Sequence, residues 1–88
     1  MKSQIWKFGP LNPSLVWKDI PIDEFAGIVH FGEQHRNLFF WTAVFPEGRT
    51  IMRQFMVIPT GVDIPEDGLY HGTVIASDGL VWHLYERG

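Results

Sequence analysis

Short apolar runs, separated by glycine, proline and polar residues, recur about every ten residues along the chain. The runs lie at residues 5–8, 15–18, 27–31, 38–45, 50–58, 70–77 and 80–86. No segment shows the helical spacing of apolar residues, and short runs at this spacing, ended by turn residues, are typical of antiparallel strands. We therefore expect an all-β fold of six or seven strands, built as a small antiparallel sandwich or as a partly open barrel.

The last two apolar runs are joined by Asp78-Gly79. This dipeptide between two strand-like segments is a strong hairpin signal, because a two-residue type I′ turn needs positive φ at both central positions. The sequence therefore predicts a C-terminal β-hairpin with Asp78-Gly79 as its turn. That register places Thr73 opposite Leu84 and His71 opposite Glu86.

Prolines are expected to end the first two strands. Gly9-Pro10 follows the first run, and Pro21 comes shortly after the second. Proline fixes φ and has no N–H to donate to a neighbouring strand. We therefore expect the second strand to occupy residues 15–18 and the chain beyond Pro21 to form a connection.

The run at residues 38–45 is apolar on both faces of the strand that it predicts. One face carries Leu38, Phe40, Thr42 and Val44, and the other carries Phe39, Trp41, Ala43 and Phe45. A half-exposed antiparallel strand alternates apolar with polar residues, and monomers rarely leave such a patch in water. One face is expected to meet the core, and the other a second sheet or a second copy of the chain. We expect a homo-oligomer; full coverage inside one chain is the alternative.

Size and charge limit the class of protein. The 88 residues predict a single domain over 1–88. There is no cysteine, no apolar run of the roughly 18 residues that span a bilayer, and no signal-peptide pattern at the N-terminus. We expect a cytoplasmic protein without a membrane partner. The net charge of −3 argues against general nucleic-acid binding, which normally needs a basic protein.

An aromatic content of 15%, with four tryptophans, suits either a small core or a surface that stacks on a ligand. Aromatic rings stack on nucleotide bases, arginines grip phosphates through paired hydrogen bonds, and a turn can offer backbone amides to an anion. The candidate ligand-binding residues are Trp17, Arg36, Trp41, Arg49, Arg53, Thr60, Gly61 and Tyr70. The alternative for each is a core aromatic, a surface arginine or an ordinary turn.

Arg53 is the most informative of these candidates. It lies in mid-strand, on the face that also carries Ile51, Phe55 and Val57. A charge at such a position has to extend to solvent, pair with an acid or meet a ligand.

Catalytic and metal chemistry find little support in the sequence. The four histidines, at positions 30, 35, 71 and 83, show no spacing typical of metal ligands. The serines lie in no nucleophile elbow, and no glycine-rich loop leads from a strand into a helix. We expect no catalytic residue, no metal and no cofactor. Were the chain an enzyme, a phosphodiesterase centred on His71 or His83 would be the first hypothesis.

Several segments together resemble one family. They are Ile5-Trp6-Lys7-Phe8, residues 38–44 followed by Pro46, Thr60-Gly61 with Ile64-Pro65, Tyr70-His71-Gly72-Thr73, and the closing Leu80-Val81-Trp82-His83-Leu84-Tyr85-Glu86. In this order they resemble a family of small phage- and prophage-encoded proteins known only as a domain of unknown function. The sequence departs from the family pattern at Pro59 and Val62, where the family has glycine and histidine. The resemblance implies an origin and an approximate fold, and no chemistry.

A phage origin favours an accessory or anti-defence role. One type of anti-defence protein is an oligomer that binds a nucleotide immune signal and withholds it from the host effector. By this analogy, we expect the chain to bind a small nucleotide-like anion without turnover, in the cytoplasm of the host cell. The alternative is a protein–protein interaction module that inhibits a host protein through an exposed aromatic β surface.

Overall fold

The computed structural model describes residues 2–88, and seven strands lie within them. The strands are β1 (Gln4–Leu11), β2 (Lys18–Asp23), β3 (Gly27–Gln34), β4 (Asn37–Val44), β5 (Thr50–Pro59), β6 (Gly68–Ile75) and β7 (Val81–Arg87). They form a three-stranded sheet in the order β1-β4-β3 and a four-stranded sheet in the order β2-β5-β7-β6. Every pairing is antiparallel. The two sheets pack as a sandwich and do not close into a barrel, so the all-β prediction is confirmed.

No helix in the described part of the chain is long and apolar enough to cross a membrane.

The core lies between the two sheets, where alternate residues of the facing strands point inward. Its buried members include Phe31, Leu38, Phe40 and Val44 from the three-stranded sheet and Ile22, Phe55, Val57 and Leu84 from the four-stranded sheet. Phe40 is fully buried, and its ring stacks on Phe8 at 5.3 Å and on Phe55 at 4.7 Å between centroids. Since Phe55 belongs to the opposite sheet, this stack joins the two layers. The buried Thr42 hydroxyl donates to the Gly27 carbonyl at 2.8 Å, so it keeps a partner inside the core.

The predicted position of the second strand and the predicted end of the first are wrong, since only Lys18 of residues 15–18 lies in a strand. β2 occupies residues 18–23 and contains Pro21, instead of ending before it. β2 pairs only with β5 and therefore lies at the edge of its sheet, where a proline without an N–H is tolerated. β1 likewise continues past Gly9-Pro10, with a local shift in its pairing register.

The C-terminal hairpin forms with Asp78-Gly79 in its turn, but the turn is not type I′. Gly79 has a positive φ of 88°, and Asp78 does not. The hydrogen bond that closes the loop runs from the Ala76 N–H to the Leu80 carbonyl at 2.8 Å. The loop therefore has three residues with a left-handed glycine last, an arrangement that spares Asp78 the positive φ of a type I′ turn.

The longer loop moves the pairing register of the hairpin by one residue. Thr73 lies opposite His83, not opposite Leu84 as the sequence predicts. A one-residue shift sends a side chain to the other face of a sheet, so Thr73 points away from the core and shares the outer face with His83. An irregularity between Tyr70 and Gly72 shifts the register by one further residue and places Tyr70 opposite Tyr85.

Candidate functional site

The outer face of the four-stranded sheet, which points away from the core, carries a row of aromatic side chains. Strand pairing places Met56, Tyr85 and Tyr70 side by side on β5, β7 and β6. Trp17, just before β2, packs against the buried cluster that Met56 and Tyr85 form with Ile58. The rings of Tyr70 and Tyr85 meet edge to face at 5.6 Å, and 57% of Tyr70 remains exposed. We call Trp17, Tyr85 and Tyr70 the outer aromatic row.

A chain of hydrogen bonds runs across the same face. The Tyr70 hydroxyl is bonded to Thr73 Oγ1. Thr73 Oγ1 is 2.8 Å from His83 Nδ1, and His83 Nε2 is 2.8 Å from Thr60 Oγ1. Both nitrogens of the His83 ring therefore have hydroxyl partners, which fix the orientation of the ring. The result is a prearranged line of polar groups that ends at the exposed side chain of Tyr70.

A small hollow lies at the Thr60 end of this line. Its volume is about 140 Å³, and it is lined by apolar Ile58 and Ile64 and by polar Thr60 and His83. Gly61 also lines it, with a positive φ of 100° and no atom within 4 Å of where a Cβ would lie. At roughly 30 Å³ per small group, the hollow has room for four or five non-hydrogen atoms. It can receive the edge of a ligand, and the rest of that ligand would lie across the sheet.

A cation borders the outer aromatic row on its other side. Arg87 lies two residues after Tyr85 on β7, and residues two apart on a strand share a face. Arg87 is exposed, and one of its nitrogens donates to Gln54 Oε1 at 3.1 Å. Gln54 in turn donates to Asp19 Oδ1 at 3.1 Å. A guanidinium has five N–H donors, so Arg87 has donors left for an anion.

Four of the predicted ligand-binding residues come together on this face: Trp17, Thr60, Gly61 and Tyr70. The sequence pattern alone did not group His83 and Arg87 with them. The signal that finds these two is the alternation along β7, where residues 83, 85 and 87 share one side. The alternation identifies the site only when the hairpin loop has three residues, because the loop length determines which residues of β6 share a face with residues 83, 85 and 87 of β7.

The other four predicted residues lie elsewhere. Arg36 is in the two-residue turn between β3 and β4, where it and His35 have positive φ values of 64° and 53°. Arg49 lies in the loop between β4 and β5, and its carbonyl accepts the N–H of Glu24 at 2.9 Å. These two turns lie at opposite ends of β4, about 25 Å apart at the usual rise of a strand. The structure therefore does not bring Arg36 and Arg49 together around one small ligand.

Arg53 points into the sandwich and pairs with an acid. Its guanidinium makes two hydrogen bonds to the Glu86 carboxylate, at 2.6 and 2.8 Å. A third nitrogen donates to the carbonyls of Asp23 and Ala26 at 3.0 and 2.8 Å. The other Glu86 partner is His71, whose Nε2 donates at 2.7 Å. Glu86 lies opposite Leu69 and not opposite His71 as the sequence predicts, but the His71 side chain still reaches it. Arg53 is engaged in holding β5, β7 and the β2–β3 connection together.

The ion pair also sets the ionisation of Glu86. Burial alone raises the pKa of this carboxyl, but hydrogen bonds and charge from Arg53 and His71 outweigh it. The net pKa of Glu86 lies below its ordinary value of 4.5. The folded protein therefore favours the charged carboxylate more strongly than the unfolded chain does.

This lowered pKa predicts a loss of stability in acid. Because the folded pKa lies below the unfolded one, the Glu86 contribution is complete above about pH 4.5 and falls as the pH drops through the folded pKa. We expect the difference in unfolding free energy between the wild type and Glu86→Gln, measured by denaturant titration, to shrink as the pH is lowered from 6 to about 3. A difference that stays constant over this range would contradict the prediction.

Trp41 lies on the outer face of the three-stranded sheet. It shares that face with Phe39, and the two half-buried rings are 6.1 Å apart. A Cβ at Gly9 would come within 2.7 Å of the Phe39 ring, and one at Gly32 within 3.5 Å of the Trp41 ring. The Phe39 ring therefore lies over Gly9, while the His30 ring lies closest to Gly32, 2.6 Å from the same Cβ position. The planes of Phe39 and Trp41 are tilted by 55°, and the four-stranded sheet does not cover this aromatic face.

No group of three or more histidine, aspartate or glutamate side chains among residues 2–88 is arranged to hold a metal ion.

The comparisons with known proteins point to a family and to no function. No curated protein and no solved structure shows a significant match to the chain. One family model, described as a domain of unknown function (DUF7352), matches residues 1–88. That match extends over the whole 88-residue sequence. The chain therefore belongs to the DUF7352 family.

Proposed function

We propose that this protein binds a small nucleotide-derived anion on the outer face of its four-stranded sheet and does not transform it. The observation that carries the proposal is the coincidence, on one face, of three kinds of group. Tyr70, the exposed member of the outer aromatic row, offers stacking surface, the Thr60–His83–Thr73 line offers polar groups in fixed orientation, and Arg87 offers a cation with spare donors. A nucleotide presents a base, a sugar and a phosphate to match them.

Stacking would supply most of the affinity. An aromatic side chain under a base contributes roughly 1–3 kcal/mol, and flat sheet faces with aromatic side chains are common platforms for bases. Tyr70 is the exposed member of the row, and the bond from its hydroxyl to Thr73 restricts its ring. A ring held in advance loses less entropy when a base settles on it.

The charge on this face suits a small anion and not a polymer. Arg87 can form two parallel hydrogen bonds with one phosphate. A single cation in a chain of net charge −3 does not build the basic track that long nucleic acids require. Asp19 lies at the far end of the Arg87–Gln54 line, which favours a phosphate at the Arg87 end.

The bonding of His83 supports binding without turnover. A general base needs a lone pair aimed at the proton that it removes, and both His83 nitrogens already face threonine hydroxyls. The face is therefore built for recognition.

The proposed biological role is that of a phage-encoded protein that withholds an immune signal in the host cytoplasm. The support is the resemblance to small phage and prophage proteins, joined with a face suited to nucleotides. We propose that the aromatic face around Trp41 joins two or more copies, because an apolar surface that the protein itself does not cover usually meets a partner.

The test is retention of intact ligand. The protein is incubated with a cyclic dinucleotide or with ADP-ribose, washed, heated and chromatographed, and its affinity is measured by calorimetry. We expect intact nucleotide, bound about tenfold or more weakly by Tyr70→Ala and several-fold more weakly by Arg87→Gln. Arg36→Gln, which changes an arginine in a distant turn, is the control and should bind as the wild type does. A chemically altered nucleotide would instead show an enzyme, and an unchanged affinity of Tyr70→Ala would rule out this face.

The second candidate function is a protein–protein module that inhibits a host protein. The observation that favours it is the same outer face of the three-stranded sheet, with Phe39 and Trp41, since aromatic residues are enriched in interfaces. A sedimentation mass separates the two uses of the face. A dimer or larger assembly assigns it to copies of this chain, whereas a monomer leaves it for another protein.

A further inference from the structure

A cleft separates the two sheets at one edge of the sandwich. β1 pairs only with β4 and β2 only with β5, so the strands at this edge leave the layers unjoined. The segment between β1 and β2 crosses from one sheet to the other and is tied down where the Ser14 N–H donates to the Val57 carbonyl at 3.3 Å. Beneath it remains a space of about 260 Å³.

Most of the residues that line this cleft are apolar, and Asn12 and Ser14 are its uncharged polar ones. Phe55 and Val57, both buried, form the floor, and the half-buried side chains of Leu11 and Ile20 form the walls. Among residues 2–88, Lys18 is the one charged residue that lines the cleft. Among residues 2–88 the salt bridges involve Arg53, His71 and Glu86, so no described acid neutralises Lys18.

We infer that this cleft binds a carboxylate that carries an unbranched apolar chain of about eight carbons. At roughly 30 Å³ per non-hydrogen atom, the space holds eight or nine atoms. An apolar floor favours a hydrocarbon chain over a sugar or a base, and a lysine at the mouth pairs with a carboxylate held at the end of that chain. Met56 borders both the cleft and the outer face, but no residue proposed to contact the nucleotide lines the cleft, so this inference does not depend on the proposed nucleotide function.

The test compares octanoate with octan-1-ol, which has the same chain and no charge. Each is titrated into isotopically labelled protein, and the methyl signals of Ile20 and Val57 are followed by NMR. We expect both signals to shift and to show contacts with the ligand chain. An exposed ion pair is worth up to about 1 kcal/mol, so octanoate should bind up to about fivefold more tightly than octan-1-ol.

Three variants isolate the role of the lysine. Lys18→Met should abolish the preference for octanoate, Lys18→Arg should keep it, and Lys2→Met, which removes a distant exposed lysine, should leave it unchanged. Lys18 is itself exposed, so these changes should not disturb folding, which the NMR spectrum checks directly. The inference is overturned by unmoved Ile20 and Val57 signals, by shifts confined to the Trp41 face, or by an octanoate preference that survives in Lys18→Met.

Discussion

Glu86→Ala should lower the free energy of unfolding by roughly 3–5 kcal/mol, because it leaves the Arg53 guanidinium inside the sandwich without its counter-charge. The two side chains are only 13% and 10% exposed, so water can replace the lost carboxylate poorly. His71 loses its partner at the same time. The measurement is a denaturant titration at pH 7, in which the midpoint should fall while the slope stays constant.

The effect is separated from simple charge loss by a control and a double mutant. Glu66→Ala removes an exposed carboxylate from the loop before β6 and should change stability by less than about 0.5 kcal/mol. In Arg53→Met combined with Glu86→Leu, no buried charge is left unpaired, so the double variant should be more stable than Glu86→Ala alone. It should not recover fully, since the Ala26 carbonyl loses its bond from Arg53 and the Asp23 carbonyl keeps only the Ala26 N–H as a donor. A Glu86→Ala protein as stable as the wild type would show that Arg53 does not need this partner.

The position of Arg53 could be predicted from the sequence, but its partner could not. Alternation along the strand placed it on the face with Phe55 and Val57, and the structure confirms that this face is buried. Glu86 lies 33 residues away, and which acid meets Arg53 depends on how β5 pairs with β7. Local patterns do not carry that long-range information.

The hairpin shows how a small error in a turn changes a whole face. Asp78-Gly79 correctly marked the turn, but the choice between a two-residue and a three-residue loop depends on whether Asp78 accepts a positive φ. The two-residue alternative would have turned Thr73 toward the core and broken the line from Tyr70 to His83. The sequence therefore contained the residues of the candidate site, and the register determined which of them share a surface.

The scattered arginines have a similar explanation. Arg36, Arg49 and Arg53 are all candidate ligand-binding residues, and only seventeen positions separate the first from the last in the sequence. A strand is extended, so eight residues of β4 carry the chain across the full length of the sheet and keep the first two apart. Arg87 was outside that group because it is distant in sequence, although it is close to the aromatic row in space.

β4 has two apolar faces with different physical roles. Its inward residues fill the core, and its outward residues belong to the aromatic face around Trp41. Both faces look alike in the sequence, because a phenylalanine in the core and a phenylalanine on a docking surface have the same hydrophobicity. Neighbouring Phe39 and Phe40 point to opposite sides of the strand and so provide a matched pair.

Phe40→Ala should lower the free energy of unfolding by roughly 3–5 kcal/mol, whereas Phe39→Ala should cost about 1 kcal/mol. Phe40 is fully buried and joins both sheets through its stacks on Phe8 and Phe55, so its removal leaves a cavity that neither layer can fill. Phe39 is half-buried, and its nearest charged neighbour, the Lys7 ammonium 4.7 Å from its ring centre, can turn to solvent. Denaturation of both variants at low protein concentration, where association contributes least, gives the comparison. Equal losses would mean that the outward face is also part of the folding core, and the case for that face as a docking surface would fail with it.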